Sequence, residues 1–127
     1  RHSEFVDITA QVRDALPAGF SGACHLFCKH TTAALTVNEG ADPDVLHDLG
    51  LELERLVPWR NPHFRHGEGN SAAHLKSSLV GVSLLLPVAD GKLVLGTWQS
   101  VYFCEFDGPR SRTVFAQWLG AAGGTAS

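Results

Sequence analysis

The sequence predicts an α+β fold of mostly antiparallel, sandwich-like sheets with two or three short helices, and three observations carry that prediction. Extended runs outnumber helical ones, Asp90-Gly91 marks a local hairpin, and the strand-helix-strand rhythm of a parallel sheet is missing. The 127 residues suffice for one core and fall short of two, so a single domain over 1–127 is expected. Hydrophobic residues make up 44% and charged residues 18% of the chain, a globular balance that leaves disorder for the ends. The run 120–127, Gly-Ala-Ala-Gly-Gly-Thr-Ala-Ser, has no periodic apolar face and reads as a flexible tail.

Phe5, Val6 and Ile8 suggest a short strand, after which Thr9 can cap a helix over 10–16 that Pro17 and Gly19 end. Residues 21–30 read as a strand with Cys24, Leu26, Cys28 and His30 on one side and His25, Phe27 and Lys29 on the other. Residues 33–38 resume the extended pattern. A helix over 42–57 has the strongest local signal. Asp42 is an N-cap, Pro43 suits the first helical position, Asp44 complements the dipole, and Val45, Leu46, Leu49, Leu53, Leu56 and Val57 form an apolar stripe. Pro58 stops it, and 59–70, rich in Pro, His, Arg and Gly, reads as a functional loop. Ser71 can cap a second helix to about 79. Residues 82–88 and 92–95 flank the Asp90-Gly91 turn, and 98–106 and 113–118 are β-branched and aromatic runs joined by Asp107-Gly108-Pro109-Arg110.

Ten basic and thirteen acidic residues give a net charge of −3 without a block of either sign, which argues against a general nucleic-acid binder. No run approaches the roughly 20 apolar residues of a membrane span, and the residues present show no signal peptide. Cys24 and Cys28 on one strand lie about 13 Å apart, too far to bridge. Free buried thiols are therefore expected, and with them a reducing, cytoplasmic setting.

Seven histidines are unevenly placed, and His30, His66 and His74 stand beside polar and glycine-rich residues. A divalent metal needs three or four imidazole or carboxylate ligands, yet the spacing of these three matches no standard zinc signature. His74 falls in the first turn of the second helix, where backbone N–H groups favour anions. Ser77 and Ser78 share its face, whereas Lys76 lies about 200° around and points elsewhere. If Lys76 and His74 serve one site, the helix begins later or Lys76 serves a neighbouring subunit; otherwise it is a solvated helix lysine. Glu39, Asp42 and Asp44 sit where acids bind metal or act as a base, and equally where they cap a helix. Glu68 lies between two glycines. Alternation places Thr97, Gln99, Val101, Phe103 and Glu105 on one strand side, with Gln99 and Glu105 facing one cavity and Trp98, Tyr102 and Phe106 in the opposite, apolar side. Arg110 binds a carboxylate or phosphate, or pairs with Asp107. Cys28 with His30 reads as packing rather than as nucleophile and base. Walker, dinucleotide and nucleophile-elbow motifs are absent from the sequence.

The stretches His30-Thr31-Thr32-Ala33-Ala34-Leu35, Asn38-Glu39-Gly40-Ala41-Asp42-Pro43-Asp44-Val45, Glu68-Gly69-Asn70, Ala73-His74-Leu75-Lys76, Leu95-Gly96-Thr97-Trp98-Gln99 and Glu105-Phe106-Asp107-Gly108-Pro109-Arg110 together resemble the YjbQ-like family, whose members are sometimes described as secondary thiamine-phosphate synthases. The resemblance runs from about Phe5 to Gly120. It implies a homotrimer with a polar pocket near the subunit boundary and a divalent metal, zinc or magnesium, held by His30, His66 and His74. It further implies catalytic roles for His74, Glu39, Glu105 and Arg110, and substrate contacts from Asn38, Asp44, Glu68, Asn70, Lys76 and Gln99. The activity attributed to the family joins a pyrimidine diphosphate to a thiazole phosphate and releases pyrophosphate. A metal-assisted transferase acting on a small phosphorylated molecule is thus the first expectation, with Glu39 or Glu105 handling protons. A non-catalytic homotrimer binding a metal or small anion is the second, and a structural subunit of a larger complex the third.

Overall fold

The computed structural model describes residues 2–120, and the expectation of a flexible tail falls, Gly120 apart, outside them. In β2 (Gly22–Cys28), Cys24, Leu26 and Cys28 are buried while the residues between them are not, so one face of the strand must be covered. Its neighbours are β4 (Ser83–Ala89) and β7 (Val114–Leu119), both antiparallel, and β5 (Lys92–Leu93) completes a four-stranded sheet in the order β5-β4-β2-β7. The second sheet has three strands, β1 (Glu4–Asp7), β6 (Gln99–Glu105) and β3 (Ala33–Glu39), with β6 in the middle. Its register sets Leu35 opposite Phe103 and Val37 opposite Val101. These side chains meet Cys24, Leu26, Cys28 and Leu86 in the main core between the sheets. Each large apolar side chain fully buried there contributes about 1.5–3 kcal/mol.

The other face of the three-stranded sheet is buried too. Ala34 opposite Cys104, together with Phe106, packs against Ala73, Leu53, Trp59 and Val80 from the helical side. The three cysteines are free and buried, as their spacing predicts. Burial pushes the thiols of Cys24 and Cys28 up, and that of Cys104 up to about 12, so none is a ready nucleophile.

Helix α2 (Pro43–Leu56) follows its sequence signals: Asp42 Oδ1 accepts the Asp44 N–H at 2.9 Å and Pro43 opens the first turn. None of its residues is fully buried; its apolar stripe lies half-covered and Leu51 and Leu56 are exposed. Two caps differ from expectation. Thr9 is the first residue of α1 (Thr9–Ala15) and Ile8 stands at the cap position, while Asp7 accepts from the Thr9 N–H at 2.9 Å and the Thr9 hydroxyl at 2.6 Å. Likewise Ser71 begins α3 (Ser71–Val80) and Asn70 precedes it. The β4-β5 turn has φ of 51° at Asp90 and 76° at Gly91, the left-handed pair that its sequence predicts. Trp98 leaves the apolar side assigned to it and is 65% exposed, since β6 begins only at Gln99.

Candidate functional site

Helix α3 and the loop before it bring two of the predicted histidines together. The His66 and His74 rings stand 5.3 Å apart between centroids at 81°, edge to face. His66 Nε2 lies 3.3 Å from Glu68 Oε1, and both side chains are substantially exposed. Asn70 holds this corner from below. Its Nδ2 donates to Asp107 Oδ2 at 2.8 Å, which fixes the amide's orientation, while its buried Oδ1 has no hydrogen-bond partner among the described residues.

His74 also lines a cavity of about 560 Å³ between α3 and the end of β2. His30 stands in the same wall, with Lys29, Thr31 and Ser78, and Phe27 and Val82 supply apolar surface. Among the described residues, no carboxylate lines the cavity. Ser77 belongs to the wall but is committed, its hydroxyl donating to the Ala33 carbonyl at 2.7 Å. His30 Nε2 receives the Thr113 backbone N–H at 3.1 Å. Imidazoles and a carboxylate are suitable donors for a divalent metal. Yet among the described residues no three His, Cys, Asp or Glu side chains gather to hold one.

The acids predicted near the start of α2 lie elsewhere. β3 runs from Ala33, beside the histidine cavity, to Glu39, about 20 Å along the strand. There Glu39 Oε2 accepts the N–H groups of Ala41 at 3.1 Å and Asp42 at 3.2 Å, and Asn38 Oδ1 accepts the Glu39 N–H at 2.7 Å. Asp44 gives its N–H to the Asp42 cap, and Gln99 Oε1 accepts from the Gly96 N–H at 2.7 Å. These groups shape turns. Gln99 and Glu105 occupy opposite ends of β6 and share no cavity, which corrects the alternation argument. Alternation fixes a face but says nothing of position along it.

Glu105 is buried in an ion pair with Arg112, a residue that the sequence reading passed over. Arg112 Nε donates to Glu105 Oε1 at 2.7 Å, Nη2 donates to Oε2 at 2.5 Å, and Nη2 also reaches Thr32 Oγ1 at 2.8 Å. Burial alone would raise the Glu105 carboxyl, but bonds from Arg112 and the Asp107 N–H outweigh it and hold the group below its ordinary value. The neighbouring backbone is close: a Cβ on Gly108 would stand 2.7 Å from Glu105 Cγ. Arg110 takes the duller of its two readings, donating to Asp107 Oδ2 at 2.8 Å. Lys76 does point away from His74, but it is not solvated. It is 1% exposed, donates to Glu54 Oε1 at 2.7 Å and lies 5.8 Å from the Phe106 ring centre. A solvated lysine would need a free helix face, and Glu54 of α2, Ser3 and Phe106 close over this one. The spacing of Glu105 and Arg112 across a turn is the one sequence signal that could have found the second arginine.

A family model described as UPF0047 protein YjbQ-like matches residues 1–121. The chain belongs to this family. UPF0047 protein YugU of Bacillus subtilis is 49% identical, with 94% of this chain and 92% of that one covered. UPF0047 protein MJ1081 of Methanocaldococcus jannaschii is 46% identical over 94% of this chain and 88% of its own length. Among solved structures, the conserved hypothetical protein TT1486 of Thermus thermophilus superposes with a TM-score of 0.90 at 52% identity, covering 94% of each chain. The fold of this family member is therefore that of its relatives throughout its matched length. Among the described residues, no helix is long and apolar enough to cross a membrane.

Proposed function

We propose that the histidine-lined cavity binds the phosphate end of a small phosphorylated molecule, and that the protein acts there as a transferase of the thiamine-phosphate-synthase kind. One observation carries this reading: the wall offers Lys29, His30, Thr31, His74 and Ser78 and no carboxylate, an arrangement suited to an anion. Its volume of about 560 Å³ suits a small molecule. Joining a pyrimidine diphosphate to a thiazole phosphate demands that the departing diphosphate be held and its charge offset. Lys29 supplies a point charge, Thr31 and Ser78 supply hydroxyl donors, and the His74 imidazole adds a further polar group along the side of α3. A divalent metal on His66 and His74, zinc or magnesium, would add positive charge at the leaving group. Its further ligands would come from substrate phosphates or a neighbouring subunit.

A homotrimer is part of the proposal. Phe27, Leu85, Phe115 and Leu119 lie exposed on the outer face of the four-stranded sheet, an apolar surface suited to association. The cytoplasm fits three free, buried thiols. A second reading, a homotrimer that binds the metal or anion without catalysis, is favoured by the acids themselves. Glu39 is occupied in a turn and Glu105 in an ion pair, which leaves neither free as a base.

The test is to purify the protein, measure its mass in solution and its bound metal, and assay thiamine-phosphate formation with wild type and His74→Ala. Turnover that falls at least a hundredfold on substitution supports the transferase. Phosphate or metal binding without turnover of either phosphorylated substrate moves the assignment to the binding protein.

A further inference from the structure

A backbone N–H can only donate, so the 3.1 Å contact from Thr113 N to His30 Nε2 settles how that imidazole is wired. Turning the ring over would set a C–H against the Thr113 N–H and lose the bond, so the donor fixes the orientation as well. A neutral imidazole has one nitrogen with a lone pair and one with a proton. Here Thr113 occupies the lone pair. The proton is therefore on Nδ1, and while the bond holds neither nitrogen is available to a metal. This inverts the usual arrangement of a metal-binding histidine, whose second nitrogen donates to a carbonyl or carboxylate.

We infer that His30 is a hydrogen-bond donor, presenting Nδ1–H to an oxygen of the anion in the histidine-lined cavity, and is not a metal ligand. The inference rests on the phosphate reading of that cavity and assigns its division of labour. His30 reads a ligand oxygen, as do Thr31 and Ser78 in the same wall, whereas His66 and His74, whose rings face each other, are the imidazoles left for an ion. Thr113 thereby becomes a positioning residue acting through its backbone. No side-chain substitution at 113 deletes its N–H except Thr113→Pro. The ligand class that follows is an oxyanion with acceptor oxygens on more than one side, such as a phosphate monoester or diphosphate.

The experiment is nitrogen NMR of the histidine-labelled full chain, without ligand, then with inorganic phosphate, then with zinc alone. Without ligand, His30 should show a protonated Nδ1 and an unprotonated Nε2. Phosphate should move the His30 Nδ1 signal, and zinc should move those of His66 and His74 and leave His30 in place. A protonated Nε2 on His30, or a zinc-induced shift at either of its nitrogens, overturns the inference. Phosphate that moves His74 but not His30 also overturns it, yet leaves the phosphate reading standing, whereas absent turnover bears on the transferase alone. Paired variants give a second measure. Asn places an N–H where Nδ1 stands and Gln places its amide near Nε2, so His30→Asn should retain phosphate affinity within a few fold while His30→Gln loses on the order of tenfold or more. The reverse order refutes the assignment.

Discussion

Arg112 and Thr113 are neighbours in sequence and serve two polar clusters that are wired in opposite ways. Through Arg112 runs a closed cluster: its guanidinium meets Glu105 and Thr32, and Glu105 also receives the Asp107 N–H, so charge answers charge inside the protein. Through Thr113 runs an open one, where a backbone N–H orients His30 in the wall of a cavity that also holds Lys29 and His74 and has no acid among its described lining residues. The difference separates polar groups paired within the fold from polar groups left without an internal charge partner. Residue type cannot make that distinction, because both clusters contain side chains of catalytic kind.

The comparison breaks most readily at Arg112. Replacing it with Met leaves the buried Glu105 carboxylate without its charged partner, with only the Asp107 N–H to answer it, and should cost about 3–5 kcal/mol in urea unfolding, while the double change with Glu105→Gln should recover much of that loss. A cost for the single change near zero would mean that the cluster is solvated and not closed. Acid sharpens the same point. Glu105 has its carboxyl held below the ordinary glutamate value of 4.5, so its contribution is fully present above that value. It declines as pH falls through 4.5 and vanishes once pH passes the lower folded value. Arg112→Met should flatten this acid limb of the stability curve.

A smaller effect is expected at the Lys76–Glu54 pair. Lys76 is almost wholly buried but Glu54 is half exposed, so Glu54→Ala should cost about 2 kcal/mol, read as a lowered midpoint in the same titration. The smallest belongs to the open cluster. His74→Ala should change unfolding by under about 0.5 kcal/mol while abolishing phosphate binding. A large stability loss there would make His74 a structural residue and erase the contrast.

Much of the fold was legible because it rests on local rules. Asp42-Pro43-Asp44 announces α2, Asp90-Gly91 announces the hairpin, and the Cys24, Leu26, Cys28 alternation gives the buried face of β2. The caps slipped by a residue or so, since the Thr9 hydroxyl is engaged by Asp7 and by the Val101 N–H of β6, a contact that only the fold brings about. Lys76 was half legible: helical geometry puts it away from His74, but nothing local reveals that Glu54 and Ser3 would close over it. Of the residues grouped by the sequence reading, only some histidines come together, while Glu39, Asp44, Gln99, Glu105 and Arg110 are engaged elsewhere in turns and ion pairs. His66 and His74 do meet, and His30 does share a cavity with His74. That Glu105 is tied to Arg112, and that Thr113 donates to His30, are contacts across strands and turns that no periodicity encodes.

The middle position of β6 in its sheet governs when this molecule can assemble. β1 pairs Glu4 with Glu105 and β3 pairs Glu39 with Gln99, so both strands share one late-made partner. On the ribosome, the first strand emerges roughly 100 residues ahead of the segment that completes it, and closing so long a loop is entropically slow. Until then the edges of β1 and β3 that β6 will pair carry unsatisfied backbone donors and acceptors, which makes the growing chain, more than the finished protein, the form most in need of chaperone protection.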